Sequence, residues 1–278
     1  MNVFILMLTV TACYTITSLS DKYAVAKAKF TGNEFTFLMC SSMSVFIALS
    51  LPFQKIYFVM SWQAFAAILL VAVCKMLEFQ MSALVLKQLS AFELKAWPGV
   101  ILFASYITDV FYGASLQAAK LICISVTVLG LIFIAKYAKQ SKTDYRKIVF
   151  ALILYLISKY GYGLVIKSFS PYISSTMQLL PALLLITLVL LTKIKPIQLL
   201  RKNPEGASKV ILARIPNAIG MLLENAIISI SLVNYSFIQP MILVTLFIIG
   251  LIRREKRSRL NLIGSMICII GIIAFQII

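Results

Sequence analysis

Lys75 and Glu78 are the first residues in this sequence whose types could do chemistry. They stand three apart inside an otherwise apolar run, which puts an ammonium and a carboxylate on one helical face within reach of each other. Val71 and Ser82 extend that face. A second patch holds Glu224 and Asn225, on a stripe of Asn217, Met221, Glu224, Ile228 and Ser231 at helical spacing. Lys159 lies among Tyr155, Ser158, Tyr160 and Tyr162, where it either lines a binding cavity or anchors at the interface, while Tyr14, Ser18 and Asp21 share a face of the first apolar run. Ser174, Ser175, Thr176 and Gln178 lead into Pro181 and suit a kinked, polar cavity wall. Each ionisable group in such a run costs at least about 2.5 kcal/mol to insert. Retained at that cost, these groups either bind a charged solute and carry protons or lock helices together as ion pairs. Glu78 and Glu224 are the candidate proton carriers, because a carboxyl withdrawn from water can hold a proton near neutral pH.

The elements that must position these residues follow from composition. The chain has 278 residues, 61% of them hydrophobic, with a mean hydropathy of +0.98. A soluble domain of this composition would have to expose a mostly apolar surface, so an all-α integral membrane protein is expected. Ten apolar segments can be drawn, at about 3–20, 34–53, 62–86, 91–111, 116–135, 148–166, 171–192, 210–232, 234–252 and 260–278. The first begins directly after Met1-Asn2, with no basic region and no A-x-A site, and reads as a transmembrane helix rather than a cleaved signal. Pro98, Pro216 and Pro240 are expected to bend their helices. Trp62 and Trp97, near segment ends, suit an interfacial aromatic belt.

The net charge of +17 raises the question of nucleic acid. Its distribution answers it. Counted with the segment ends beside them, which bring in Lys95, Arg214 and Lys120, loops after odd-numbered segments hold 21 of the 26 Lys and Arg residues and even-numbered loops and termini hold 3. That asymmetry sets membrane orientation and predicts cytoplasmic odd-numbered loops, with no nucleic-acid partner. The densest of them, Arg253, Arg254, Lys256, Arg257 and Arg259, stands between the last two segments. Lys22 either binds or snorkels to the interface. Histidine is absent, and Cys13, Cys40, Cys74, Cys123 and Cys268 all lie in apolar runs without a CxxC pair. No disulfide, metal or cofactor is expected. The absence of GxxxxGK[ST] excludes this form of ATP site.

The chain also reads as two halves, 1–140 and 141–278. Ser20-Asp21-Lys22-Tyr23 is echoed by Ser158-Lys159-Tyr160. Pro98 is echoed by Pro240 and Gly130 by Gly271, at offsets of 142 and 141 residues. Five segments per half, an odd number, require opposite orientations in the membrane: two inverted five-helix repeats. On that alignment segment 3, with Lys75 and Glu78, matches segment 8, with Glu224, and the two patches face a shared cavity.

This plan resembles the drug/metabolite transporter superfamily in its EamA-like branch. The residues that carry the resemblance are Pro240, Gly250-Leu251, Glu255, Ser258, Gly264 and Gly271, with Asp21-Lys22-Tyr23 and Glu34-Phe35-Thr36-Phe37 near the start. It implies an alternating-access carrier of small metabolites in a bacterial cytoplasmic membrane. The expected function is secondary transport or export of a small polar metabolite, with a proton as the candidate coupling ion. Lysines suit an anionic group, carboxylates and tyrosines a cation, and an amino-acid-like zwitterion would use both. The partners are that solute and membrane lipid. A flippase or transporter for a lipid-linked or nucleotide-linked sugar is the alternative within transport, and a non-transporting scaffold the alternative outside it. An enzyme is disfavoured by the lack of histidine and of any clustered acids.

Overall fold

A computed structural model describes residues 3–89, 91–137, 148–252 and 259–278. The described residues form helices, with one isolated antiparallel bridge, Phe58 to Ile173. In chain order they are α1 Val3–Ala26, α2 Gly32–Ser50, α3 Trp62–Leu86, α4 Ala91–Ala96, α5 Ile101–Phe111, α6 Ala118–Tyr137, α7 Val149–Phe169, α8 Ser175–Leu191, α9 Pro196–Lys202, α10 Pro204–Leu212, α11 Arg214–Ile230, α12 Leu232–Ile252 and α13 Arg259–Ile277. Among the described residues six helices are long and apolar enough to cross a membrane, or seven if α8 and α9, bent by 84°, count as one span. The protein is therefore an all-α, multi-pass membrane protein. The basic knot at 253–258, with Glu255 and Ser258, and the 138–147 stretch of a basic loop lie outside the described residues.

Helix starts follow local chemistry. Thr31 and Glu34 form a capping box at α2, and Ser61 caps α3 by accepting from Ala64 N. Pro196 and Pro204 open α9 and α10, where a missing N–H leaves nothing unsatisfied. Pro98 lies in a 3-10 turn, Trp97–Val100, that interrupts its segment as expected. Pro216 departs from expectation. It falls in the first turn of α11, after a break at Ala213, so it starts a helix rather than bending one. The two tryptophans also divide. Trp62 is largely exposed at the head of α3, as a belt residue would be, whereas Trp97 is partly buried against the core.

The bundle is inverted relative to a soluble protein. Leu188, Ile157, Phe150 and Ile270 face outward, while Lys75, Glu78, Lys159, Gln178, Arg214 and Glu224 are buried. Such an arrangement is stable when lipid surrounds the apolar face. The most extensive helix contacts are α6 with α13 and α3 with α7, followed by α1 with α11 and α2 with α8. The α6–α13 contact is nearly backbone to backbone. A Cβ built on Gly130 would come within 2.6 Å of Cys268 N, and one on Gly271 within 2.8 Å of Thr127 N, the close approach that small residues permit between membrane helices.

Loops gather by parity. At one end Lys22 Nζ donates to Leu86 O at 2.5 Å and Leu89 O at 2.7 Å. Ser20 reaches Lys209 O at 3.4 Å. These contacts join the ends of α1, α3 and α10, and they give Lys22 an anchoring role on carbonyls at a helix C-terminus. At the other end the 51–60 and 170–174 loops pair through Val59 N to Tyr172 O at 2.9 Å and Ser174 N to Tyr57 O at 3.0 Å. There, too, Asp109 at the end of α5 accepts from Lys167 Nζ at 2.5 Å and Ser231 Oγ at 2.8 Å. The same carboxylate accepts from Leu232 N and Val233 N, each at 3.0 Å. It thereby caps α12 and ties α5, α7 and α12 together.

Candidate functional site

Seven helices, α1 to α4, α7, α11 and α12, surround a cavity of about 70 Å³. Much of its lining lies toward the odd-numbered loops, in the C-terminal parts of α1 and α3, the N-terminal parts of α2 and α7 and the short helix α4, whereas Gln239 comes from the half of α12 nearer the even-numbered loops. Lys75, Glu78, Lys159, Glu224, Asn217 and Tyr14 all line it, so the two sequence-level patches do share one hollow.

On the α3–α7 side, Glu78 accepts from Lys75 Nζ at 2.8 Å and from Lys159 Nζ at 3.1 Å. The i,i+3 spacing supplies the first contact, and the close packing of α7 on α3 supplies the second. Lys75, with 2% of its surface exposed, also lies 3.5 Å over the centroid of the Tyr162 ring, a favourable seat for a desolvated cation. The Tyr162 hydroxyl donates to Asn225 Oδ1, joining α7 to α11. Tyr235 O–H donates to Lys159 O at 3.1 Å. Gly163 makes room for it, since a Cβ there would lie 2.9 Å from the Tyr235 ring.

On the α1–α11 side, the Tyr14 hydroxyl donates to Glu224 Oε2. Gly220, one turn before Glu224, allows this contact: a Cβ there would meet the Tyr14 ring at 2.8 Å. Glu224 is 1% exposed, and its Oε1 has no hydrogen-bond partner among the described residues. Gln239 on α12, also 1% exposed, has neither Oε1 nor Nε2 satisfied and lines the same cavity. Such atoms are costly unless something else pairs with them. Asp21 pairs with the fully buried Arg214, whose Nε donates to Val210 O at 3.1 Å. Lys95 enters the cavity from α4 without an ion pair among the described residues. The arrangement combines one closed ionic cluster with a set of open donors and acceptors.

Two sequence-level candidates fall elsewhere. Gln178 is fully buried outside the cavity lining and donates to Ile173 O at 3.1 Å and Ile166 O at 3.4 Å. Its neighbour Thr176 binds the Gln54 side chain, and Ser174 stands at the N-cap position of α8 without a side-chain capping bond among the described residues. The polar stretch before Pro181 thus secures the loops at the even-numbered end rather than walling a cavity. Asn225 faces Tyr162, since a residue adjacent to Glu224 is rotated by about 100° on a helix. Lys159 is resolved as an interior residue paired with Glu78, not an interfacial anchor. Sequence reasoning missed Lys95, Gln239 and Asp109. An ionisable or amide group within three residues of Pro98 or Pro240 was a usable signal for the first two.

No protein-family model and no curated protein matches this chain.

Proposed function

We propose that this protein is a secondary transporter of a small zwitterionic metabolite, working by alternating access. The observation that carries the reading is the cavity itself: a hollow among membrane helices in which, among the described residues, the Glu224 Oε1 and the Gln239 amide lack partners and Lys95 makes no ion pair. A carboxylate on the ligand would find Lys95 and the Gln239 amide N–H groups. Its ammonium would find Glu224. Among the described residues no cation pairs with Glu224, so on this reading it either carries a proton or, when ionised, is balanced by the ligand's own ammonium. Competition between the two would couple solute movement to proton movement.

The helix pairings support ten spans in two inverted repeats. If each segment maps onto the one five later, the α1–α11 and α3–α7 contacts exchange, and α2–α8, α5–α12 and α6–α13 map onto themselves. All five are present, as a pseudo-twofold requires. On this reading the cavity leans toward the odd-numbered loops, placed in the cytoplasm by their charge, and the Asp109 cluster closes the opposite side. Alternating access requires that cluster to open. Asp109→Asn would remove its ion pair with Lys167 and raise the reactivity of a cysteine placed at Ser231 toward a membrane-impermeant maleimide.

The decisive experiment is a thermal-stabilisation screen of the purified protein with small amino-carboxylates, followed by counterflow of the hits in proteoliposomes. A ligand that binds the folded state stabilises it by mass action whatever the direction of transport. Stabilisation that vanishes in both Lys95→Ala and Glu224→Gln supports the reading. Hits unchanged in both variants overturn it.

A further inference from the structure

Where α8 ends, the chain turns by 84° into α9. A helix nearly perpendicular to a spanning helix lies along the membrane surface. Beneath the turn, Leu184, Leu188 and Leu191 form an exposed stripe on one face of α8, and Ile197 and Leu200 are exposed on α9. Above it, Lys193, Lys195 and Lys202 border a groove of about 460 Å³, with Gln198 and the start of α2 opposite. Lys193 and Lys195 make no ion pair among the described residues. Lys202 reaches Glu34 only at 3.5 Å, and Glu34 is already engaged with Thr31 N at 2.8 Å. An exposed pair of this kind is weak. The groove, which also includes the Glu34 carboxylate, therefore offers spare cations that begin two residues after Leu191, the last residue of the exposed apolar stripe.

We infer that this elbow binds one anionic phospholipid. Its phosphate sits among Lys193, Lys195 and Lys202, and an acyl chain lies along the Leu184–Leu188–Leu191 face. The charge fits: a headgroup phosphate supplies acceptors for three ammonium donors, and the apolar stripe begins where a glycerol backbone would end. An interfacial basic segment next to exposed apolar residues is the form that anionic-lipid recognition takes. The inference does not depend on the transport reading.

The test is a titration of detergent-purified full-length protein with phosphatidylglycerol, phosphatidylcholine or inorganic phosphate, with the first bound molecule counted by native mass spectrometry. Phosphatidylglycerol is expected to bind more tightly than phosphatidylcholine. The variant Lys193→Gln/Lys195→Gln/Lys202→Gln should lose about fivefold per lysine at low salt, roughly a hundredfold in all. The corresponding triple Lys→Arg variant should retain binding, and circular dichroism checks that both fold. Neutralising Arg253, Arg254, Lys256 and Arg257 should change the first binding step by less than about twofold, because the built groove and not general basicity holds the lipid. An equal loss in that control, undiminished binding in the Lys→Gln variant, or inorganic phosphate binding as tightly as the lipid would each overturn the proposal.

Discussion

On the α3–α7 flank of the cavity, Glu78 lies between two ammonium groups, at 2.8 Å and 3.1 Å. On the α1–α11 flank, Glu224 meets one phenol and keeps a buried oxygen without a partner. Both carboxylates are withdrawn from water, yet their surroundings assign them different work. Glu78 is neutralised by groups on its own helix and the next, and its removal strands two cations. Glu224 is held in place but has no ion-pair partner among the described residues, and on the proposed reading a ligand or a proton completes it. A residue's burial alone does not separate a structural charge from a working one; the count of committed partners does.

The widest gap between the flanks should come from Glu78→Gln. It leaves Lys75 and Lys159 without a counter-charge and should cost about 3–5 kcal/mol, read as a large fall in the denaturation midpoint in detergent. A fall no greater than that of Glu224→Gln would erase the distinction. Gly220→Ala comes next. The added methyl meets the Tyr14 ring and should cost about 1–3 kcal/mol, and Tyr14→Phe introduced beside it should add little more if the displaced contact is the one to Glu224. Glu224→Gln should move stability by under about 1 kcal/mol while abolishing ligand-induced stabilisation and the pH dependence of counterflow. Persistent pH dependence in that variant would transfer the coupling role elsewhere. Lys95→Gln should scarcely change the midpoint, within about 0.5 kcal/mol, and should weaken carboxylate ligands tenfold or more.

Legibility in the sequence followed the range of each interaction. The Lys75–Glu78 pair was visible because three residues on one helix determine it. The Asn217, Met221 and Glu224 stripe was visible for the same reason, and all three line the cavity. The second partner of Glu78 was not visible, because Lys159 stands 81 residues away and only the packing of α7 on α3 brings it in. Gln178 misled because a polar residue before a proline looks alike whether it faces a cavity or satisfies loop carbonyls. Lys95 was hidden among the cations of a short loop, where charge normally reports orientation. The all-α membrane class needed only composition, which is insensitive to any single contact.

The glycine seam between α6 and α13 carries a mechanical consequence. Among the described residues neither helix lends a residue to the cavity, and at Gly130 and Gly271 their main chains come close together, with Thr127 packed against Gly271 and Phe133 and Ile134 against Gly264. Two rods welded in this way cannot slide or re-register by swapping rotamers; they translate or tilt only as one beam. On the alternating-access reading, a rearrangement that exposes the cavity to the far side would pivot the other helices against this pair, which would then be the stator.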